Sequence, residues 1–256
     1  MPRGHGILPS TEGPMMTRRI SLLAGVGLAA LVAAALAGCA SPSGGSPSNA
    51  STPSPSASDT EIEVDAAWLD GGRVVGIVTY GSSTCIPTAV VEPVEAGVLN
   101  VTLVDDPEAV CTRDLVPRVT PVELMGDVDP AQDLEVRVTG DGYWGETDLE
   151  GVPGLTAPAE TDYLPSAGWT DEDGQFIILS WGSSTCVPEI EDVTASGPAE
   201  VTVTFVTPPA DQVCTMDIVP RGVVAFVEGL EEDEDDFAIL QGGEFDNIRI
   251  PILGSN

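Results

Sequence analysis

Beyond residue 60, apolar and polar positions alternate with a period of two, or gather into β-branched runs cut by turn residues. Residues 61–65 (EIEVD) and 134–139 (LEVRVT) carry the alternation of half-buried strands. Residues 73–80 (RVVGIVTY), 88–92 and 98–104 (VLNVTLV) are strand-like runs bounded by Gly, Pro and Asp. Turns are expected at 68–72 and 105–108. Residues 115–124 predict an edge or irregular strand, because Pro117 and Pro121 donate no ladder hydrogen bond. The order then repeats: 176–181, 200–206, 218–227 and 237–241 match the earlier runs, and 248–252 adds a last strand. Trp169 matches Trp68 at an offset of 101, and Trp181 stands in for Tyr80 at the same offset. No stretch sustains a helical period. Short strands at regular spacing with Gly/Pro turns predict an all-β fold of two tandem small β-sandwich or barrel-like modules.

One cassette carries the duplication most plainly. Gly81-Ser82-Ser83-Thr84-Cys85-Ile86-Pro87, followed by Val110-Cys111-Thr112-Arg113-Asp114-Leu115-Val116-Pro117-Arg118, returns as Gly182-Ser183-Ser184-Thr185-Cys186-Val187-Pro188 and Val213-Cys214-Thr215-Met216-Asp217-Ile218-Val219-Pro220-Arg221. A repeat of this length sets the whole architecture. The cysteines lie 26 residues apart in the first copy and 28 in the second. Four cysteines allow three pairings. Cys85–Cys111 and Cys186–Cys214 are expected as disulfides, because each pair lies inside one copy. A four-thiolate metal site lacks its usual Cys-x-x-Cys spacing. The cassette resembles repeats of secreted and lipid-anchored actinobacterial proteins with a Gly-Ser-Ser-Cys-type turn and a Cys-Thr-x-Asp-x-x-Pro signature. That family has no assigned activity, so the resemblance implies an envelope location and nothing about a ligand.

The amino-terminal part reads as an export segment, with Met15 or Met16 as its start. Arg18-Arg19 precede an apolar run at 20–35 that ends in Leu36-Ala37-Gly38-Cys39. This tetrapeptide resembles the lipobox of bacterial lipoproteins, which implies cleavage before Cys39 and lipidation of its sulfur. A spanning helix would have no reason to stop there and continue as a polar tether. Residues 40–60 are almost wholly Ser, Pro, Gly, Ala, Thr and Asn, a composition that buries no apolar surface. The expected organisation is a signal region at 1–38, lipidated Cys39 and a disordered tether at 39–60, a first module at 61–140, a connector at 141–167 and a second module at 168–256.

Charge then removes whole classes of function. The chain carries 9 basic and 41 acidic residues, for a net charge of −32, and all the basic residues are arginine. No basic stripe is present to neutralise phosphates, so nucleic acid is not an expected partner. The single histidine, His5, lies in the signal region. Without histidine or lysine, the mature chain has no Ser-His or Cys-His pair, no lysine Schiff base and no histidine metal site. No cofactor is expected, and the Gly-Ser-Ser-Thr segment reads as a turn.

Other groupings are weaker signals. Asp114/Arg118 and Asp217/Arg221 recur at equal spacing, either as carboxylate–arginine binding pairs or as turn-capping Asp and carbonyl-satisfying Arg. Their presence in both copies favours the second role. The acid groups 171–174, Asp127/Asp129/Asp133 and 231–236 lack calcium-loop spacing and read as solvated faces, so no metal site is assigned. The connector holds Tyr143 and Trp144 among glycines, residues suited to docking a partner or stacking on a sugar, or else to packing between the two modules, which is the more ordinary use of such a pair. The function expected is a lipid-anchored, non-catalytic binding module of the cell envelope, on the extracytoplasmic face, whose partner is an envelope protein or glycan. A carboxylate-dependent enzyme on cell-wall glycans and a structural spacer are the alternatives.

Overall fold

The computed structural model describes residues 59–126, 128–230 and 236–255. The expected signal region, Cys39 and nearly all of the tether lie outside the described residues, as do Asp127 and the acids at 231–235. The first repeat forms β1 (Thr60–Glu61), β2 (Asp65–Leu69), β3 (Val74–Gly81), β4 (Thr88–Val91), β5 (Val98–Val104), β6 (Val116–Glu123), β7 (Leu134–Gly140) and β8 (Tyr143–Leu149). The second forms β9 (Ser166–Trp169), β10 (Gln175–Gly182), β11 (Ile190–Gly197), β12 (Glu200–Phe205), β13 (Val219–Phe226), β14 (Phe237–Gly242) and β15 (Phe245–Leu253). A single 3-10 turn, Asp70–Gly72, is the only helical element among the described residues.

Each module is a sandwich. In the first, the sheet β2-β3-β6 covers the sheet β1-β8-β7-β5-β4. In the second, the corresponding strands run β11-β12-β14-β15-β9-β10-β13, because the end of β15 pairs in parallel with β9 at Ile252↔Ala167. Inward residues alternate along the strands, as a pleat requires. Trp68, Val75, Ile77, Leu99, Val101, Val136 and Val138 fill the first core. Trp169, Phe176, Ile178, Val203, Phe205 and Leu240 fill the second. Pro117 and Pro121 lie on β6 at a sheet edge, as expected, where a missing N–H costs no ladder bond.

Both modules belong to one compact unit. A third cluster, built from Ala67, Leu69, Val74, Val78, Val119, Ile177 and Leu179, lies between them. The sheets β2-β3-β6 and β9-β10-β13 are therefore buried on both faces. This explains why residues 73–80 run together as apolar instead of alternating.

The interface joins equivalent positions of the two repeats. A β-carbon on Gly76 would lie 2.8 Å from Cδ1 of Ile177, its own counterpart at the offset of 101. A β-carbon on Gly222 would lie 2.4 Å from Cγ1 of Val119, its counterpart at an offset of 103. Gly168 faces Ala67 in the same manner, with the Trp68 carbonyl oxygen 2.3 Å from where its β-carbon would be. Contact between like positions is the mark of an isologous, pseudo-twofold interface, here formed within one chain. In each of the first two pairs a glycine in one module accepts a branched side chain from the other.

Three expectations change. The strand expected at 61–65 is divided, with Glu61 ending β1 and Asp65 opening β2. Of the turn expected at 68–72, Trp68 and Leu69 are the buried end of β2, and Trp68 Nε1 donates to the Glu150 carbonyl at 2.9 Å. Within the expected connector, residues 143–149 are β8, paired along its length with β7. That strand completes the first module's sheet, and the segment that joins the modules is shorter.

Candidate functional site

The two cassettes close each module at the far end of β3 and β10. The disulfides pair Cys85 with Cys111 and Cys186 with Cys214. Beside each bond the hydroxyls form a small lattice. Thr112 Oγ1 donates to Asp114 Oδ1, so Ser82, 2.7 Å from that hydroxyl, is its donor. Thr112 N donates to Thr84 Oγ1 at 3.1 Å, and Ser83 N to Asp114 Oδ1 at 3.3 Å. The second cassette repeats every one of these contacts through Ser183, Ser184, Thr185, Thr215 and Asp217. Hydrogen bonds from Ser83 and Thr112 hold Asp114 down to about 2, and those from Ser184 and Thr215 do the same for Asp217.

The arginines do different work from the aspartates. Arg118 Nη1 donates to the Cys85 carbonyl, and Arg221 Nη1 to the Cys186 carbonyl at 2.7 Å. Their ion-pair partners are Asp105 and Glu244, with no pair to Asp114 or Asp217. Each guanidinium lies over the glycine that opens its cassette: a β-carbon on Gly81 would sit 2.5 Å from Arg118 Cζ, and one on Gly182 2.7 Å from Arg221 Cζ. The Gly…Arg spacing is thus a steric requirement of the loop. The Asp/Arg repetition belongs to the fold, and the hydroxyls are occupied in holding it.

The loops also carry apolar side chains into solvent at matched positions. Val110 and Val213 are 95% and 88% exposed, and Leu115 and Ile218 are also exposed. The second cassette bounds a cleft of about 610 Å³ whose walls include Val187, Pro188, Val206, Pro208 and Pro209, with the Arg221–Glu244 pair at one side. A volume of this size is typical of ligand sites. The sequence offered only a weak trace of it, the two extra residues of the second disulfide loop, which carries Pro208 and Pro209.

Tyr143 and Trp144 sit at the start of β8 and are half-buried. Tyr143 packs against the first core, its hydroxyl is enclosed without a hydrogen-bond partner, and burial raises its pKa. Trp144 pairs with Glu61 and Thr139 in neighbouring strands. Neither is on an open connector, and the cleft is built by other residues.

A second constellation crosses the modules. Glu63, Asp65 and Glu172 bring carboxylate oxygens within 4.8 Å of one another. Asp65 is buried, and burial, together with Glu172, Glu63 and Asp171, pushes its carboxyl up to about 6. The signal in the sequence was positional: the repeat counterparts at the offset of 101 are Leu164, Ser166 and Gly71.

No family model matches the chain, and neither a curated protein nor a solved structure matches it. Among the described residues no helix is long and apolar enough to cross a membrane.

The hydroxyl lattice makes a pH prediction. The folded-state pKa of Asp114, about 2, lies below its ordinary 3.8. Its support of the loop is therefore complete above about pH 4 and is lost as pH falls through 2. Carbon-13 carboxyl titration is expected to place Asp114 and Asp217 together near 2, and Thr112→Val to move Asp114 alone upward. An ordinary midpoint for Asp114 in the unmodified protein would contradict the lattice.

Proposed function

We propose that this chain is a lipid-anchored, non-catalytic binding module of the cell envelope, tethered through Cys39 and facing outward. One observation carries the binding reading. Beside the second disulfide, a cleft of about 610 Å³ combines apolar walls at Val187, Val206 and the prolines with an arginine–glutamate pair at its side. Its walls are rigid: a disulfide, three prolines and a strand end restrict their motion, which lowers the ordering cost of binding. The nearby hydroxyls have no general base, and Asp217 is too firmly ionised to act as an acid. The lipobox resemblance at 36–39 and the cassette resemblance support the envelope location.

In-situ crosslinking of the full chain tests the reading. Capture of a discrete envelope protein or glycan is expected, and Val206→Arg, which fills the cleft with a charge, is expected to abolish it without changing membrane association. Cys39→Ser is expected to eliminate labelling by a fatty-acid analogue. Undiminished capture by Val206→Arg would move binding away from the cleft, and persistent label on Cys39→Ser would remove the anchor.

A carboxylate-dependent glycan enzyme is the second reading, favoured by Asp65, whose raised pKa sits beside two exposed glutamates. Turnover of labelled wall polymer by the purified protein would support it.

A further inference from the structure

Glu63, Asp65 and Glu172 are three acids with no arginine among them. The five described ion pairs use Asp70, Asp105, Glu135, Glu244 and Glu200 instead. Like charges this close repel one another. Asp65 is only 7% exposed, and its Oδ2 has no hydrogen-bond partner. A buried, unpaired carboxylate oxygen is costly unless something compensates it.

The duplication supplies an internal control. The pseudo-equivalent place at the other end of the interface has Leu164 for Glu63, Ser166 for Asp65 and Gly71 for Glu172. There Ser166 Oγ accepts the Asp70 backbone N–H at 2.8 Å, so the position is satisfied locally. The same fold therefore forms without any of the three acids, and their presence at one end only is a property of this site.

We propose that Glu63, Asp65 and Glu172 form a calcium site that ties the two modules together at one end of their interface. All donors are carboxylate oxygens, which suit a hard cation and not zinc or copper. Two oxygens each about 2.4 Å from one calcium ion lie at most about 4.8 Å apart, whereas the shorter bonds of magnesium need a tighter set. The three oxygens, all within 4.8 Å of one another, lie within the reach of one calcium ion. Asp65 supplies the fixed, enclosed ligand. Glu63 and Glu172 are exposed and open the site to solvent, which completes the shell. Because Glu63 and Asp65 come from the first module and Glu172 from the β9–β10 turn of the second, the ion bridges both.

Chemical denaturation of the purified protein tests this, with calcium, with chelator, and with sodium chloride at matched ionic strength. For a dissociation constant of about 1 mM, 10 mM calcium lowers the unfolding equilibrium constant about tenfold. Sodium at equal ionic strength has no such effect. Glu172→Gln, on an exposed turn, loses the calcium response while remaining folded. Asp65→Asn loses it too and is more stable than the parent in chelator, since it removes the unpaired charge. An equal response to sodium, or an undiminished calcium response in Glu172→Gln, would overturn the site. Calorimetric titration gives an independent readout: one calcium per chain in the parent and none in either variant.

Discussion

Replacing Gly222 with alanine is expected to destabilise the protein by about 1–3 kcal/mol, the range for overpacking a tight core. The new methyl would meet Val119 at 2.4 Å from Cγ1 and 2.6 Å from Cβ. A β-branched side chain held at one rotamer has no room to swing aside. Gly168→Ala is expected to cost at least as much, because the obstacle is a backbone oxygen. The informative measurement is a double-mutant cycle. Val119→Ala alone leaves a hole, but with Gly222→Ala the added and lost volumes offset. The double variant is expected to be more stable than the sum of the two by about 1–3 kcal/mol. Strict additivity would mean that the modules do not touch there.

Loss of either disulfide is expected to destabilise its module by about 3.5 kcal/mol, from the entropy of closing loops of this length. The separations are 26 and 28 residues, so the two effects should be nearly equal. Denaturant titration of Cys85→Ser/Cys111→Ser and Cys186→Ser/Cys214→Ser measures them. Since Arg118 and Arg221 bond the carbonyls of Cys85 and Cys186, the loops have a second attachment, and local order should outlast the covalent bond. A cost below about 1 kcal/mol would show that the arginine and hydroxyl contacts hold the loops alone.

The strands that the sequence revealed are those with one face in a core or with β-branched runs. Residues 98–104 match β5 at both ends, and β3, β6, β7, β10, β12, β13 and β14 fall within a residue or two of expectation. Four strands escaped for separate physical reasons. In β2, Asp65–Leu69 is buried throughout, so it shows no alternation and its end reads as a turn. In β9, Ala167 and Gly168 are small because β2 lies against them, so no hydrophobic pattern survives. In β8, a β-carbon on Gly145 would lie 2.6 Å from the Ile62 carbonyl oxygen, and this close packing made the segment resemble a loop. In β11, register shifts at Ile190/Asp192 and Ala195/Gly197 break the period of two. Disulfide pairing was legible because the repeat marks which cysteines belong together. The cleft and the carboxylate cluster were not, because both unite residues from distant segments, and Asp65 looks from sequence like any acid in a strongly acidic chain.

The paired glycine and branched residues also decide which partners the modules accept. Two copies of the first module would set Val119 against Val119 and leave Gly76 facing Gly76. Two copies of the second would crowd Ile177 against Ile177 and leave Gly222 facing emptiness. Only unlike modules fit, but nothing in that fit distinguishes a module of the same chain from one of a neighbour. The short segment at 150–165 makes the choice, by holding the proper partner at an effective concentration on the order of millimolar. Shortening it beyond its reach would leave every interface satisfiable only by reciprocal exchange, and the monomer would give way to a swapped dimer.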